Sequence, residues 1–154
     1  MKPKRLTQKK IVVAVSGGFD PLHVGHTRLF RRARALGDKL VVILNNDNWL
    51  RKKKGYAFMN QRERKEILLA LRPVDRVVLT SHPKNPADMS VVKELEKLRP
   101  DIFANGGDRK PGNTPETGVC KKINCTMVFR RGRGGKVQSS SWLLEEYLQK
   151  NKKR

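Results

Sequence analysis

His23 and His26 are two of the three histidines in a chain of 154 residues, and they follow closely on a glycine pair, Gly17-Gly18. Side chains three positions apart on a helix share a face, so the two imidazoles are expected to project toward one point. Gly17 and Gly18 let backbone amides approach an anion closely, and a helix opening just after them aims its positive end at the same spot. Bare amides, a helix start and two imidazoles together describe a phosphate clamp. The competing signatures are missing: the sequence contains no G-x-G-x-x-G, no G-x-x-x-x-G-K-[ST] and no H-E-x-x-H.

The elements that must position this clamp are legible as alternating strands and helices. Ile11–Ser16 is a β-branched apolar run that ends in the glycines. From Val24 to Leu36, Leu29, Phe30, Ala33 and Leu36 recur at helical spacing with arginines opposite, and Gly37 stands as a C-cap. Lys39–Asn45 is a second strand, followed by a polar, basic loop through Tyr56. Asn60, with Glu63 three residues on, opens a helix that runs through Leu71 to Pro73. Arg76–Thr80, Ile102–Asn105 and Thr126–Arg130 supply three more strands. Ser90–Leu98, a short helix opened by Thr114-Pro115, and Ser139–Lys150 supply the remaining helices.

Near-continuously apolar strands alternating with helices predict an α/β fold, a Rossmann-like three-layer sandwich around a mainly parallel five-stranded sheet. Ligands bind such sheets beyond the carboxyl ends of the strands, where strand order reverses. The loops Gly17–His26, Asn46–Tyr56, Asn105–Arg109 and Arg130–Ser141 therefore converge on one site.

The length fits one domain with a full core, read as residues 11–149 between basic tails at 1–10 and 150–154. No apolar run approaches the roughly 20 residues of a membrane span, and the chain reads as soluble and cytoplasmic. Cys120 and Cys125 form a lone C-x4-C, neither a disulfide framework nor a zinc site, and are read as free thiols. The net charge of +21 predicts attraction to anions. It motivates a second hypothesis, a nucleic-acid-binding protein on the same fold, which leaves His23 and His26 unexplained. His82, between Ser81 and Pro83, reads as a surface loop residue.

His23-Val24-Gly25-His26 is an H-x-G-H motif, and through it the chain resembles the cytidylyltransferase-like nucleotidyltransferases from Ile11 to Leu148. GGFDPLHVGHTRLFRRARALGDKLVV resembles the opening of glycerol-3-phosphate cytidylyltransferases and heptose-1-phosphate adenylyltransferases, and QRERKEILLALRPVD resembles their second signature. PDIFANGGDR is closer to the heptose-phosphate enzymes, and Ser139-Ser140-Ser141 resembles the family's terminal phosphate-binding element. Members carry an arginine five residues before that element. Position 134 here is glycine, with Arg133 beside it, and Gln138 replaces an apolar residue.

The resemblance implies transfer of a nucleoside monophosphate from a triphosphate, ATP ahead of CTP, to a phosphorylated acceptor such as a sugar or polyol phosphate, with release of pyrophosphate. The alternative acceptor is a cofactor precursor: FMN, nicotinate mononucleotide or phosphopantetheine. Because the acceptor phosphate is already ionised, no general base is required, and catalysis rests on positioning and charge stabilisation. The implied catalytic set is His23, His26, Arg64 and one lysine of Lys52–Lys54, with Lys54 favoured because it precedes Gly55. Nucleotide and phosphates fall to Gly17, Gly18, Phe19, Asp20, Gly25, Asn105, Gly107, Asp108, Ser139, Ser140 and Ser141. Mg²⁺ accompanies the triphosphate, Asp20 is a candidate contributor to it, and a homodimer is expected.

Overall fold

A computed structural model describes residues 7–107, 109–129 and 138–152. Its elements run β1 (Val12–Gly17), α1 (Val24–Arg34), β2 (Lys39–Leu44), α2 (Asp47–Lys54), α3 (Gln61–Leu69), β3 (Arg76–Leu79), α4 (Val92–Leu98), β4 (Ile102–Asn105), α5 (Thr117–Lys122), β5 (Thr126–Phe129) and α6 (Ser140–Lys152), with a 3-10 turn at Pro111–Asn113. All five strands are parallel in the order β3-β2-β1-β4-β5, so the order reverses beside β1, as the fold-level reading requires.

The period-two alternation of the strands separates two cores. Val13, Val15, Leu40, Val42 and Leu44 meet Phe30 and Ala33 of α1 and Leu68 of α3 on one face. Ala14, Ile43 and Phe103 meet Leu95 of α4 and Val119 and Cys120 of α5 on the other. A slip of one residue would exchange the two sets, and their different sizes and shapes in close-packed cores oppose it. At the amino ends of the strands, carboxylates hold the backbone: Asp38, Asp75 and Asp101 accept from Ile11, Leu40 and Val12 N–H at 2.7, 2.8 and 2.9 Å. The carboxyl ends are left to the loops that form the site.

Several local expectations are corrected. The stretch read as a basic loop after β2 contains α2. Asn46 caps it by accepting from Trp49 N–H at 3.0 Å, Leu50 buries one face, and Gly55 ends it in a left-handed conformation, φ 86°. α1 stops at Arg34 with Ala35 as C-cap. Gly37 serves close approach instead, since a Cβ there would lie 2.9 Å from the Ile11 carbonyl oxygen. α4 begins at Val92 and α5 at Thr117, whose N–H is accepted by the Thr114 carbonyl. Asn60 caps α3 as predicted, accepting from Arg62 and Glu63 N–H.

His82 is buried, contrary to its reading as a surface residue. Its ring nitrogens contact Thr80 Oγ1 at 2.8 Å and the Ser90 carbonyl at 3.0 Å, and its own carbonyl accepts from Asn46 and Asn48 Nδ2. This network ties the β3–α4 loop to the start of α2. Cys120 and Cys125 are free and buried, and burial followed by the neighbouring Cys120 sulfur pushes the Cys125 thiol up to about 12.

Candidate functional site

The site is built on the turn from β1 into α1. His23 is the N-cap of α1, and its Nδ1 accepts from Gly25 N–H at 3.1 Å. His26, three residues on, accepts from His23 N–H through its own Nδ1 at 3.3 Å. Two orphan backbone donors of the helix start are thereby satisfied reciprocally, in a capping box made from imidazoles. An imidazole that accepts at Nδ1 carries its proton at Nε2, so each ring is held as a neutral Nε2–H donor.

The rings stack with centroids 3.7 Å apart and an interplanar angle of 27°. Gly25 makes the arrangement possible: a Cβ there would lie 2.8 Å from His23 Cε1 and 3.0 Å from its Nδ1. Burial foremost, then the adjacent His23 and Lys54, drives the His26 pKa down to about 3. It is neutral at every physiological pH. Phe19, buried with φ 49°, sets its ring edge-on to His26, centroids 4.9 Å apart, and to Phe30 behind it, 5.1 Å. A left-handed backbone at a bulky residue is uncommon and is maintained here by the packing around the ring. Gly17 and Gly18 allow the turn to close, since added Cβ atoms would meet Phe19 at 2.9 Å and Leu50 at 2.8 Å.

α2 delivers Lys54 to this turn. Its Nζ donates to the Asp20 carbonyl at 3.1 Å, and desolvation lowers its pKa, although the Asp20 charge opposes the shift. Lys52 faces elsewhere, donating to Asn85 Oδ1 at 2.7 Å, and Lys53 is exposed. Of the three lysines, Lys54 is the one brought to the histidines.

Asp20 and Arg64 take up framing positions. Asp20 is buried, and its two carboxylate oxygens accept from Phe58 and Met59 N–H at 2.6 and 2.7 Å, clamping the α2–α3 loop to the glycine turn. Arg64 is wholly buried. It donates to the carbonyls of Met59, Gly18 and Asn45 at 2.9, 2.7 and 2.7 Å and to Asp47 Oδ1 at 2.7 Å. The guanidinium of this member of the implied catalytic set thus lies behind the site, joining β1, β2, α2 and the loop before α3. Asp20 is 1% exposed and each of its oxygens already holds a backbone donor, so its observed work is to frame the turn. No group of three or more His, Cys, Asp or Glu that could hold a metal occurs among the described residues. No step is assigned to Mg²⁺.

The start of α6 closes the other side. Ser140 Oγ donates to the Pro21 carbonyl at 2.8 Å, Ser139 Oγ accepts from Trp142 N–H at 3.1 Å, and Ser141 is exposed. Ser140 therefore reaches the histidine turn, while Ser139 holds the start of its own helix. Asn105 is buried at the end of β4, Gly106 packs on Leu29 of α1, and Gly107 has φ 64°. Asp108 and the loop 130–137, including Arg133, lie outside the described residues. The residues that sequence reasoning missed are Asp47 and Asn46, which α2 presents to Arg64 and to the His82 loop; the Asn46-Asp47 start and Gly55 stop were their signal. Phe58, more than half exposed beside the Asp20 clamp, had none beyond its type.

Comparison with known proteins gives the family and the fold. Residues 14–119 match the family model described as cytidylyltransferase-like. A FAD synthase of Pyrococcus abyssi is 41% identical over 66% of this chain and 66% of its own length. Bifunctional protein HldE of Syntrophotalea carbinolica is 41% identical over 74% of this chain. The chain spans 22% of the length of that bifunctional relative. Among solved structures, a lipopolysaccharide core biosynthesis protein from Thermoplasma volcanium superimposes with TM-score 0.65 at 28% identity, covering 79% of this chain and 96% of that one. Thermotoga maritima TmcAL, solved with alpha-thio ATP, shares the fold with TM-score 0.66 at 15% identity, over 92% of this chain and 51% of its own. By its motif, its turn geometry and the span of the family match, the chain belongs to the cytidylyltransferase-like family of nucleotidyltransferases.

Proposed function

We propose that the protein is an adenylyltransferase that joins the AMP of ATP to the phosphate of FMN and releases pyrophosphate. An acceptor phosphate oxygen attacks the α-phosphorus in line as the bond to the β-phosphate oxygen breaks. His23 and His26 donate from Nε2 to the phosphoryl oxygens as charge redistributes, and Lys54 neutralises the phosphate facing them. The observation that carries the reaction type is the pair of Nδ1 atoms occupied by backbone N–H groups, which leaves two fixed neutral donors at a helix start. A neutral donor takes no proton from an already ionised nucleophile, so the site suits a reaction without a general base.

The acceptor rests on the FAD synthases, matched over two-thirds of both chains, and on the aromatics next to the site. Tyr56 is 46% and Phe58 is 57% exposed on the loop clamped by Asp20, where they offer a flat ring system faces to stack on. This reading replaces the sugar or polyol phosphate that the sequence favoured. That second reading keeps the support of the bifunctional relative and of the lipopolysaccharide core protein.

The deciding experiment crosses four nucleoside triphosphates with FMN, sugar phosphates and glycerol phosphate, following pyrophosphate release. ATP with FMN should give the highest kcat/KM. Turnover of sugar phosphates without FMN would reject the acceptor, and turnover with CTP alone would reject the adenylyl donor.

A further inference from the structure

The outer face of α2 and the β3–α4 loop enclose an open cleft of about 480 Å³ lined by Asn48, Arg51, Lys52, Lys84 and Asn85. Asn48 and Lys52, one turn apart, are turned to the β3–α4 loop, bonding His82 and Asn85, with Arg51 at the edge of the same face, while Asp47, Leu50 and Lys54 are engaged by Arg64, the core and the histidine turn. The cleft is therefore separate from the site described above.

Its walls are fixed. Asn46 and Asn48 Nδ2 both donate to the His82 carbonyl, at 2.9 and 3.0 Å, and Trp49 Nε1 donates to the Met89 carbonyl at 2.9 Å. His82 is itself held between Thr80 and Ser90. Across the cleft Lys52 Nζ reaches Asn85 Oδ1 at 2.7 Å, and Asn85 adopts φ 48°, a conformation asparagine tolerates better than most residues. Three cationic side chains thus converge on a rigid concavity. Among the described residues, none of Arg51, Lys52 and Lys84 is ion-paired with a carboxylate. Converging like charges repel, and a bound anion relieves the repulsion while accepting charge-assisted hydrogen bonds.

We propose that this cleft is a second anion site, one that takes a small oligophosphate of charge comparable to its three cations. The concave shape favours a compact anion over a long polymer, for which a flat or grooved basic surface is the usual fit. The proposal does not depend on which acceptor the histidine site uses.

Calorimetric titration with inorganic tripolyphosphate at physiological ionic strength tests it, because weak surface attraction is screened there. The parent protein should show two sites. R51A/K84A should lose one of them or bind there at least about tenfold more weakly, while H23A/H26A should keep that site and lose the other. Both substituted side chains are exposed, and an unchanged melting temperature would show that R51A/K84A is folded. R51A/K84A should also retain pyrophosphate release, which separates this proposal from the function of the histidine site. Titration of R51A/K84A indistinguishable from the parent would overturn the second site. Binding of single-stranded RNA but not tripolyphosphate, lost in R51A/K84A, would overturn the small-anion assignment in favour of a phosphodiester-binding surface.

Discussion

The N–H of His23 donates to Nδ1 of His26 at 3.3 Å while the His23 ring turns its own Nδ1 back to Gly25 N–H at 3.1 Å, so one turn of backbone sets the tautomer of both rings. The consequence is chemical. Each imidazole is a donor through Nε2, and the burial that lowers the His26 pKa to about 3 removes any charged form near neutrality.

Replacing His26 by glutamine should preserve much of the activity, because the amide nitrogen of Gln occupies a position close to Nε2. His26→Ala should lower kcat by about a hundredfold to a thousandfold, the usual effect of deleting a transition-state donor. Steady-state pyrophosphate release checks both. Equal losses in the two variants would mean that His26 acts by something other than hydrogen-bond donation.

The same group sets an acid limit on stability. Its folded pKa of about 3 lies below the unfolded value of 6.5, so between these values the unfolded chain binds more protons than the folded one. The His26 contribution is therefore constant above pH 6.5 and turns progressively destabilising as pH falls toward 3. Urea midpoints of the parent should drop through that window more steeply than those of H26Q. Parallel curves would show that the imidazole is not held neutral.

Gly25→Ala tests the geometry without replacing either ring. The added Cβ must push the His23 ring by several tenths of an ångström, since it would sit 2.8 Å from Cε1. A fold loss of about 1–3 kcal/mol, typical of overpacking, should accompany a much larger fall in kcat. A variant that folds and turns over like the parent would mean that the stacked arrangement is unnecessary.

The clamp was legible in the sequence because its chemistry and its local geometry coincide: the spacing of His23 and His26 is the helical i, i+3 that the capping box uses. The alternation of apolar strands and helices likewise announced the parallel sheet, since strands buried on both faces read as near-continuous apolar runs. The burial of His82 and the framing bonds of Arg64 went unread for a shared reason. A charged or polar residue reads as exposed unless its partners are known, and theirs are carbonyls and side chains far away in sequence, such as Gly18 and Asn45 for Arg64 and Asn46 for His82. α2 was hidden by its composition, since one buried residue, Leu50, is too few to show a period.

Arg64→Met should unfold the site instead of weakening phosphate binding alone. Removing the guanidinium leaves Asp47 and three carbonyls without their donor, and breaking a buried pair in this way costs about 3–5 kcal/mol. Arg64→Lys cannot reproduce the four bonds and should recover only part of the loss. Thermal melts without nucleotide provide the readout. Unchanged melting with a raised KM for ATP would show instead that Arg64 acts on the nucleotide.

Lys54, Lys53 and Lys52 form an internal comparison on one helix. Lys54 is half-buried against Asp20, Lys53 is exposed, and Lys52 bonds Asn85 on the far side. Lys54→Ala should lower kcat by about tenfold or more, with little effect on melting, because it removes a charge that acts on phosphate in a desolvated place. Lys53→Ala should change kcat by less than about twofold, since a solvated surface charge contributes little. The His26 pKa should also respond: Lys54 is one of the charges that lower it, so K54A should move the His26 titration upward from about 3. NMR of the imidazole resonances during acid titration would detect that shift, and its absence would place Lys54 too far from the histidines to share a phosphate with them.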